Sequence, residues 1–255
     1  MKILEAVREQ AATPVFSKRV RIRLEMISCR YWWRVHPAFL YWPWTIERNS
    51  LGGTRFRKRV LFQDNFDILI DGFWRSANSF LLSYLRTTNP TLDIRGHLHD
   101  PRFVIMAVRF RKPVCVLIRP PRDCMPSFVI HSRQSLLSAI ERYITYYKAL
   151  RSYVDNVLVV SFKTATERPN SVASVLRERF GIAIEAPPID ETLSCNVRRM
   201  VRSYPWGDNL LTVSLPEPAR TPLAKEIERA LDLPDYSKIL LEAQLLYDEY
   251  AAVAI

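Results

Sequence analysis

FDILIDGF, from Phe66 to Phe73, runs without a break into WRSANSFLLSYLR, from Trp74 to Arg86. The first stretch is short, largely apolar, contains Ile68 and Ile70, and closes on Asp71 and Gly72, the pattern of a buried strand. The second carries Ala77, Leu81, Leu82 and Leu85 at helical spacing with no proline. A strand, a short polar turn and an apolar helix in direct succession bring the unpaired N–H groups of a helix start to the end of a strand. That arrangement receives phosphate and sulfate oxygens.

The same alternation extends outward. Val114 to Ile118 is a second buried strand, halted by Pro120-Pro121, and Asn156 to Phe162 (NVLVVSF) holds a third. The longest helical pattern is Ser135 to Ser152, with Leu136, Leu137, Ile140, Ile144 and Tyr147 on one side. Further helices are expected over Asn170–Phe180, stopped by Gly181, over Thr221–Leu231 with Pro222 at its first turn, and from about Tyr236 to Val253. Phe103 to Phe110 reads as a short helix or a strand, and residues 183–218 hold few regular signals. Buried strands alternating with helices specify an α/β fold: three layers, P-loop-like, around a central and mainly parallel sheet.

Bulk properties bound what such a chain does. At 255 residues and 48% hydrophobic it has the size and composition of one α/β domain rather than of a disordered chain. Lys plus Arg outnumber Asp plus Glu by 37 to 26, a net +11, which favours anionic partners without choosing among them. The four cysteines form no C-x-x-C pair and are too sparse for a disulfide scaffold, so a reducing, cytoplasmic setting is expected. Met1 to Gln10 lacks the apolar core of a signal peptide, and no run of 18 apolar residues is present. Residues 1–60 read as a basic and aromatic extension packed on the core or acceptor side, and 61–255 as the catalytic domain. Met26 to Trp44 mixes aromatic and basic groups in a way that also suits peripheral membrane contact.

Three segments carry residues fit for chemistry. Arg75-Ser76-Ala77-Asn78-Ser79 sets a guanidinium, two hydroxyls and an amide about a helix start; the plainer alternative is a helix capped by Ser76 or Asn78 with Arg75 solvated. It is not a Walker A motif, because the glycine frame and the lysine are missing. Arg119 ends the second strand, where open α/β sheets bind ligands, and Ser127 follows once the chain turns. Asp123 is placed to pair with Arg122 and pin that loop. His97 and His99, in RGHLHD, supply two of the four histidines and a base able to act at neutral pH. No third ligand at a metal-binding spacing accompanies them.

Taken in order, these segments resemble the family of sulfotransferases that use 3′-phosphoadenosine 5′-phosphosulfate, in particular short single-domain bacterial members. The family's phosphosulfate loop, roughly P-K/R-S-G-T/N-T-W/F-L, aligns with Trp74 to Leu81, and its 3′-phosphate element, roughly R-x-P-x-D-x-x-x-S, with Arg119, Pro121, Asp123 and Ser127. Gly96-His97-Leu98 is similar to the segment that carries its histidine base. The resemblance spans about residues 64 to 250, with RERFG at Arg177–Gly181 and the terminal LLEAQLLYDEY fitting more loosely. It implies that Arg75, Ser76, Ala77, Asn78 and Ser79 cradle the phosphosulfate, that Arg119 and Ser127 hold the 3′-phosphate, and that His97 and Arg75 are catalytic. His99 or an acidic residue is the other choice of base. The chain departs from the family in having Trp74 for proline and Ala77 for glycine, a methyl group that ordinary helical geometry would tolerate. The vertebrate-type R-K-G segment is absent, leaving Arg198, Arg199 or Arg220 to assist the donor.

The implied co-substrate is therefore 3′-phosphoadenosine 5′-phosphosulfate, with no metal, and the acceptor a small molecule, carbohydrate or lipid bearing a hydroxyl or amine. Nucleic acid is not an expected partner. Two other readings compete. A kinase-like phosphotransferase explains the cradle but lacks the Walker lysine. A non-enzymatic binder of nucleic acid or a membrane surface explains the charge without a pocket and predicts steep salt dependence.

Overall fold

The computed structural model describes residues 66–204 and 214–255, together with the two strands β1 (Trp44–Arg48) and β2 (Thr54–Lys58). β1 and β2 pair antiparallel, with Arg48 opposite Thr54. The remainder of the N-terminal extension, including the Met26–Trp44 segment up to its last residue, lies outside the described residues.

Four parallel strands form the central sheet: β3 (Ile68–Gly72), β4 (Ile94–Gly96), β5 (Val114–Ile118) and β6 (Leu158–Ser161), in the order β4-β3-β5-β6. The three strands expected from sequence are all present. β4 is an addition, three residues long and too short for a period to show.

The helices are α1 (Asn78–Thr88), α2 (Pro101–Arg109), α3 (Pro121–Ser132), α4 (Leu136–Leu150), α5 (Phe162–Glu167), α6 (Pro169–Phe180), α7 (Glu191–Arg202), α8 (Thr221–Leu231) and α9 (Pro234–Ala251). Phe103–Phe110, open between helix and strand, is helical because Asp100 accepts from the Arg102 N–H and Pro101 starts the first turn. Gly181 ends α6 at φ 66°, as a left-handed C-cap. α7 lies in the stretch that looked irregular. Its signals were nonetheless present: an Asp190 cap accepting from the Leu193 N–H, and Leu193, Val197 and Val201 at four-residue spacing.

Alternation along the strands builds the three layers. Leu69, Val114, Val116 and Val159 face a core with α2, α3, α4 and α9, while Ile68, Ile70, Cys115, Leu117, Leu158 and Val160 face α1, α6 and α7. Each such side chain, fully buried, stabilises the fold by roughly 1.5–3 kcal/mol.

The strand order fixes where a ligand can enter. The chain leaves β3 for β4 on one side and returns to β5 on the other, so the loops after β3, β4 and β5 diverge over one crevice. That is the switch point at which open α/β sheets bind ligands. The backbones are close there: a Cβ on Gly72 would stand 2.5 Å from the Leu117 carbonyl oxygen, and one on Gly96 2.2 Å from that of Ile70. No side chain fits at either position.

Candidate functional site

A cavity of about 870 Å³ opens over the crevice. Of the expected site residues, Arg75, Ala77, Asn78 and Ser79 reach it from the loop after β3, His97 and His99 from the loop after β4, and Arg119 and Ser127 from the end of β5 and from α3. Ser76 does not. It is fully buried, and its place is beneath the loop.

The loop is held in an unusual backbone state. Arg75 and Ala77 both have positive φ, 66° and 72°. Ala77 is thus left-handed, not helical, and its methyl group carries a strain that glycine would not. It is also the N-cap of α1, and no side chain caps that helix, neither Ser76 nor Asn78. The Asn78 amide turns inward and donates to the Phe73 carbonyl at 2.9 Å, pinning the loop to its strand. The helix start therefore offers backbone N–H groups and the macrodipole to the cavity rather than a capped end. From below, the Cys124 thiol donates to the Trp74 carbonyl and the Tyr147 hydroxyl to the Leu117 carbonyl, at 3.1 and 2.8 Å.

Arg75 joins the two anion elements. Its Nε–H donates to Ser127 Oγ at 2.7 Å and its Nη1 to Ser214 Oγ at 3.1 Å. Each serine accepts through its Oγ, and both line the cavity. Arg119 donates to the Arg75 carbonyl at 3.0 Å and lies over the Phe162 ring at 4.1 Å, so its guanidinium is held against the wall. Arg122 instead faces Asp232 at 2.8 Å, away from the expected pairing with Asp123.

The electrostatics are one-sided. Among the described lining residues Arg75, Arg119, Arg198, Arg202 and Arg220 stand against Glu167 alone as formal charges. Burial, and then the charges of Arg220 and Arg119, lower the Arg75 pKa to about 10. Of the three arginines expected to assist, Arg198 and Arg220 line the cavity and Arg199 does not. Arg202, four residues after Arg198 on α7, was not anticipated, and it is partly balanced by Glu217 at 3.3 Å.

The histidines form a chain. Ser79 Oγ lies 2.6 Å from His97 Nε2, His97 Nδ1 lies 2.9 Å from His99 Nε2, and His99 Nδ1 lies 2.8 Å from the Gly72 carbonyl oxygen. Both residues are left-handed, φ 64° and 52°, and their rings meet edge to face, with centroids 4.6 Å apart and planes at 76°. His99 is 9% exposed and stacked on Trp74 at 4.7 Å. Burial, and then His131, lower the His97 pKa to about 4; burial, and then His97, lower that of His99 to about 3. Beneath them the fully buried Asp71 accepts the His99 backbone N–H at 3.0 Å, and burial raises its pKa to about 7. His131, a third histidine on the wall, escaped sequence reasoning, although it follows Ser127 by four residues on one helix.

Chemically, the arrangement can hold a polyanion across two adjoining subsites and keep an uncharged imidazole beside it. Among the described residues no group of three His, Cys, Asp or Glu side chains is placed to hold a metal ion, and no helix is long and apolar enough to cross a membrane.

No family model matches the sequence, and no curated protein does. The solved structure of mouse sulfotransferase SULT7A1 complexed with PAP is similar over 70% of this chain and 90% of that one, with a TM-score of 0.39 and 12% identity. It is a weak, partial likeness of fold.

Proposed function

We propose that the protein transfers a sulfuryl group from 3′-phosphoadenosine 5′-phosphosulfate to a hydroxyl or amine of a small-molecule, carbohydrate or lipid acceptor. One observation carries this reading: Arg75, Arg119 with Ser127, and His97, from three separate segments, meet on the wall of one cavity.

The residues fit such a donor. A buried Arg75 beside Arg119 and Arg220 is costly without an anion and favourable with one. The start of α1, Arg75 and Ser79 take the phosphosulfate; Arg119 and Ser127 take the 3′-phosphate. The Ser79 hydroxyl occupies His97 Nε2. Turning that O–H to an anionic oxygen makes a stronger bond and uncovers the imidazole for the acceptor. His97 then takes the acceptor's proton as its oxygen or nitrogen bonds to sulfur and the bond from sulfur to the phosphate oxygen breaks. Arg75 and the helix-start N–H groups stabilise the charge spread over the equatorial oxygens. The leaving group is adenosine 3′,5′-bisphosphate.

Binding of that product tests the proposal. Adenosine 3′,5′-bisphosphate should raise the melting temperature well above what adenosine 5′-phosphate, ADP or ATP does at equal concentration. Equal shifts from all four would remove the reading.

A further inference from the structure

Protons can be assigned along the histidine chain from its fixed end. The Gly72 carbonyl oxygen only accepts, so His99 Nδ1, 2.8 Å away, carries the N–H. Burial keeps His99 uncharged, so its Nε2 is a lone pair. His97 Nδ1, 2.9 Å from that lone pair, must then be the protonated nitrogen of its ring. This leaves His97 Nε2 as an acceptor, and the 2.6 Å contact is a donation from the Ser79 hydroxyl. Each bond points the same way, and reversing any one would set two lone pairs or two protons face to face.

We propose that His99 is a positioning residue: it holds His97 in the Nδ1–H tautomer, with the Nε2 lone pair directed at Ser79 and the cavity. His99 itself is held on every side. Trp74 stacks on its ring at an interplanar angle of 25°, Gly72 takes its Nδ1–H, and Asp71 takes its backbone N–H at 3.0 Å.

A neutral imidazole suits this place better than the carboxylate that usually orients a histidine base. A carboxylate touching His97 would favour the imidazolium and attract the nearby guanidiniums. A second imidazole selects the tautomer without adding charge to a cavity that must receive a polyanion. The catalytic consequence rests on the sulfuryl-transfer reading. The tautomer does not, because it follows from the hydrogen bonds of the protein's own groups.

The test is nitrogen-15 NMR of the histidine rings at neutral pH, on the full chain, in the wild type and in H99F and H99Q. The wild type should show His97 protonated at Nδ1 alone, with a scalar coupling across the hydrogen bond between His97 Nδ1 and His99 Nε2. Phenylalanine keeps the stack on Trp74 but accepts nothing, so H99F should lose the single tautomer. Glutamine can present an amide oxygen near the position of Nε2, so H99Q should recover it. A wild-type His97 protonated at Nε2, or a missing coupling, overturns the proposal even if no variant folds. So does an unchanged tautomer in H99F. Adenosine 3′,5′-bisphosphate binding, measured on the same samples, separates the two readings: the expected tautomer with no such binding leaves the positioning role standing and removes the sulfotransferase.

Discussion

The Nε–H of Arg75 donates to Ser127 Oγ at 2.7 Å across 52 positions of sequence, so the loop after β3 and the helix after β5 share one hydrogen bond at the floor of the cavity. The two proposed anion subsites are joined by this bond. Ser127→Ala should weaken adenosine 3′,5′-bisphosphate binding by about 1.5–3 kcal/mol, the range for a hydrogen bond to a charged group. In a double-mutant cycle with Arg75→Ala the two losses should miss additivity by about 1 kcal/mol, read by titration calorimetry. Strict additivity would mean that the subsites act independently.

Arg119→Ala removes a guanidinium that Phe162 and the Arg75 carbonyl hold in place. The expected loss in bisphosphate affinity is about 2–4 kcal/mol. Unchanged affinity would take Arg119 out of the site.

Ala77→Gly probes the loop backbone. At φ 72° alanine pays a left-handed penalty of about 1–2 kcal/mol, partly offset by the greater chain entropy that glycine loses on folding. The variant should gain about 0.5–1 kcal/mol in urea unfolding. A loss of stability would contradict the left-handed conformation.

Asp71 and the histidines give stability opposite pH dependences. The Asp71 carboxyl is raised from 3.8 to about 7, so its contribution is whole below 3.8 and is lost as pH rises through 7. His97 and His99 are lowered from 6.5 to about 4 and about 3, so theirs is whole above 6.5 and is lost as pH falls toward those values. Asp71→Asn keeps an oxygen for the His99 N–H. Its gain over wild type should grow by about 3 kcal/mol between pH 5 and pH 8, at ~1.4 kcal/mol for each pKa unit. A gain independent of pH would show that Asp71 titrates normally.

In the proposed reaction, a base at His97 with so low a pKa would lack the usual acidic limb. An ordinary histidine base would be protonated in all but roughly 3% of molecules at pH 5. Here kcat/KM should stay level from pH 8 to pH 5, because His97 titrates at about 4. His97→Gln should lower turnover by about 10²–10⁴-fold, and Arg75→Ala by about 100-fold or more. A limb near pH 6.5 would point to a histidine in contact with water.

The sequence by itself determined the layers and the outline of the loops. The short, continuously apolar strands at Ile68, Val114 and Leu158 and the Gly181 stop are local effects, set by backbone sterics and by which side chains avoid water. Arg75 and Arg119 could be singled out for the same reason, since each closely follows a strand that the sequence shows, whereas His97 follows β4, which is too short to read, and stood out only by its chemistry and by resemblance. Tertiary structure alone decided the rest. That Arg75 reaches Ser127 and Ser214, that Arg220 stands near it, and that His97 and His99 bond to one another depend on the order β4-β3-β5-β6, which brings distant loops over one crevice. The left-handed state of Ala77 is a tertiary effect too: its own chemistry favours a helix, and only packing of the loop around it holds the residue elsewhere.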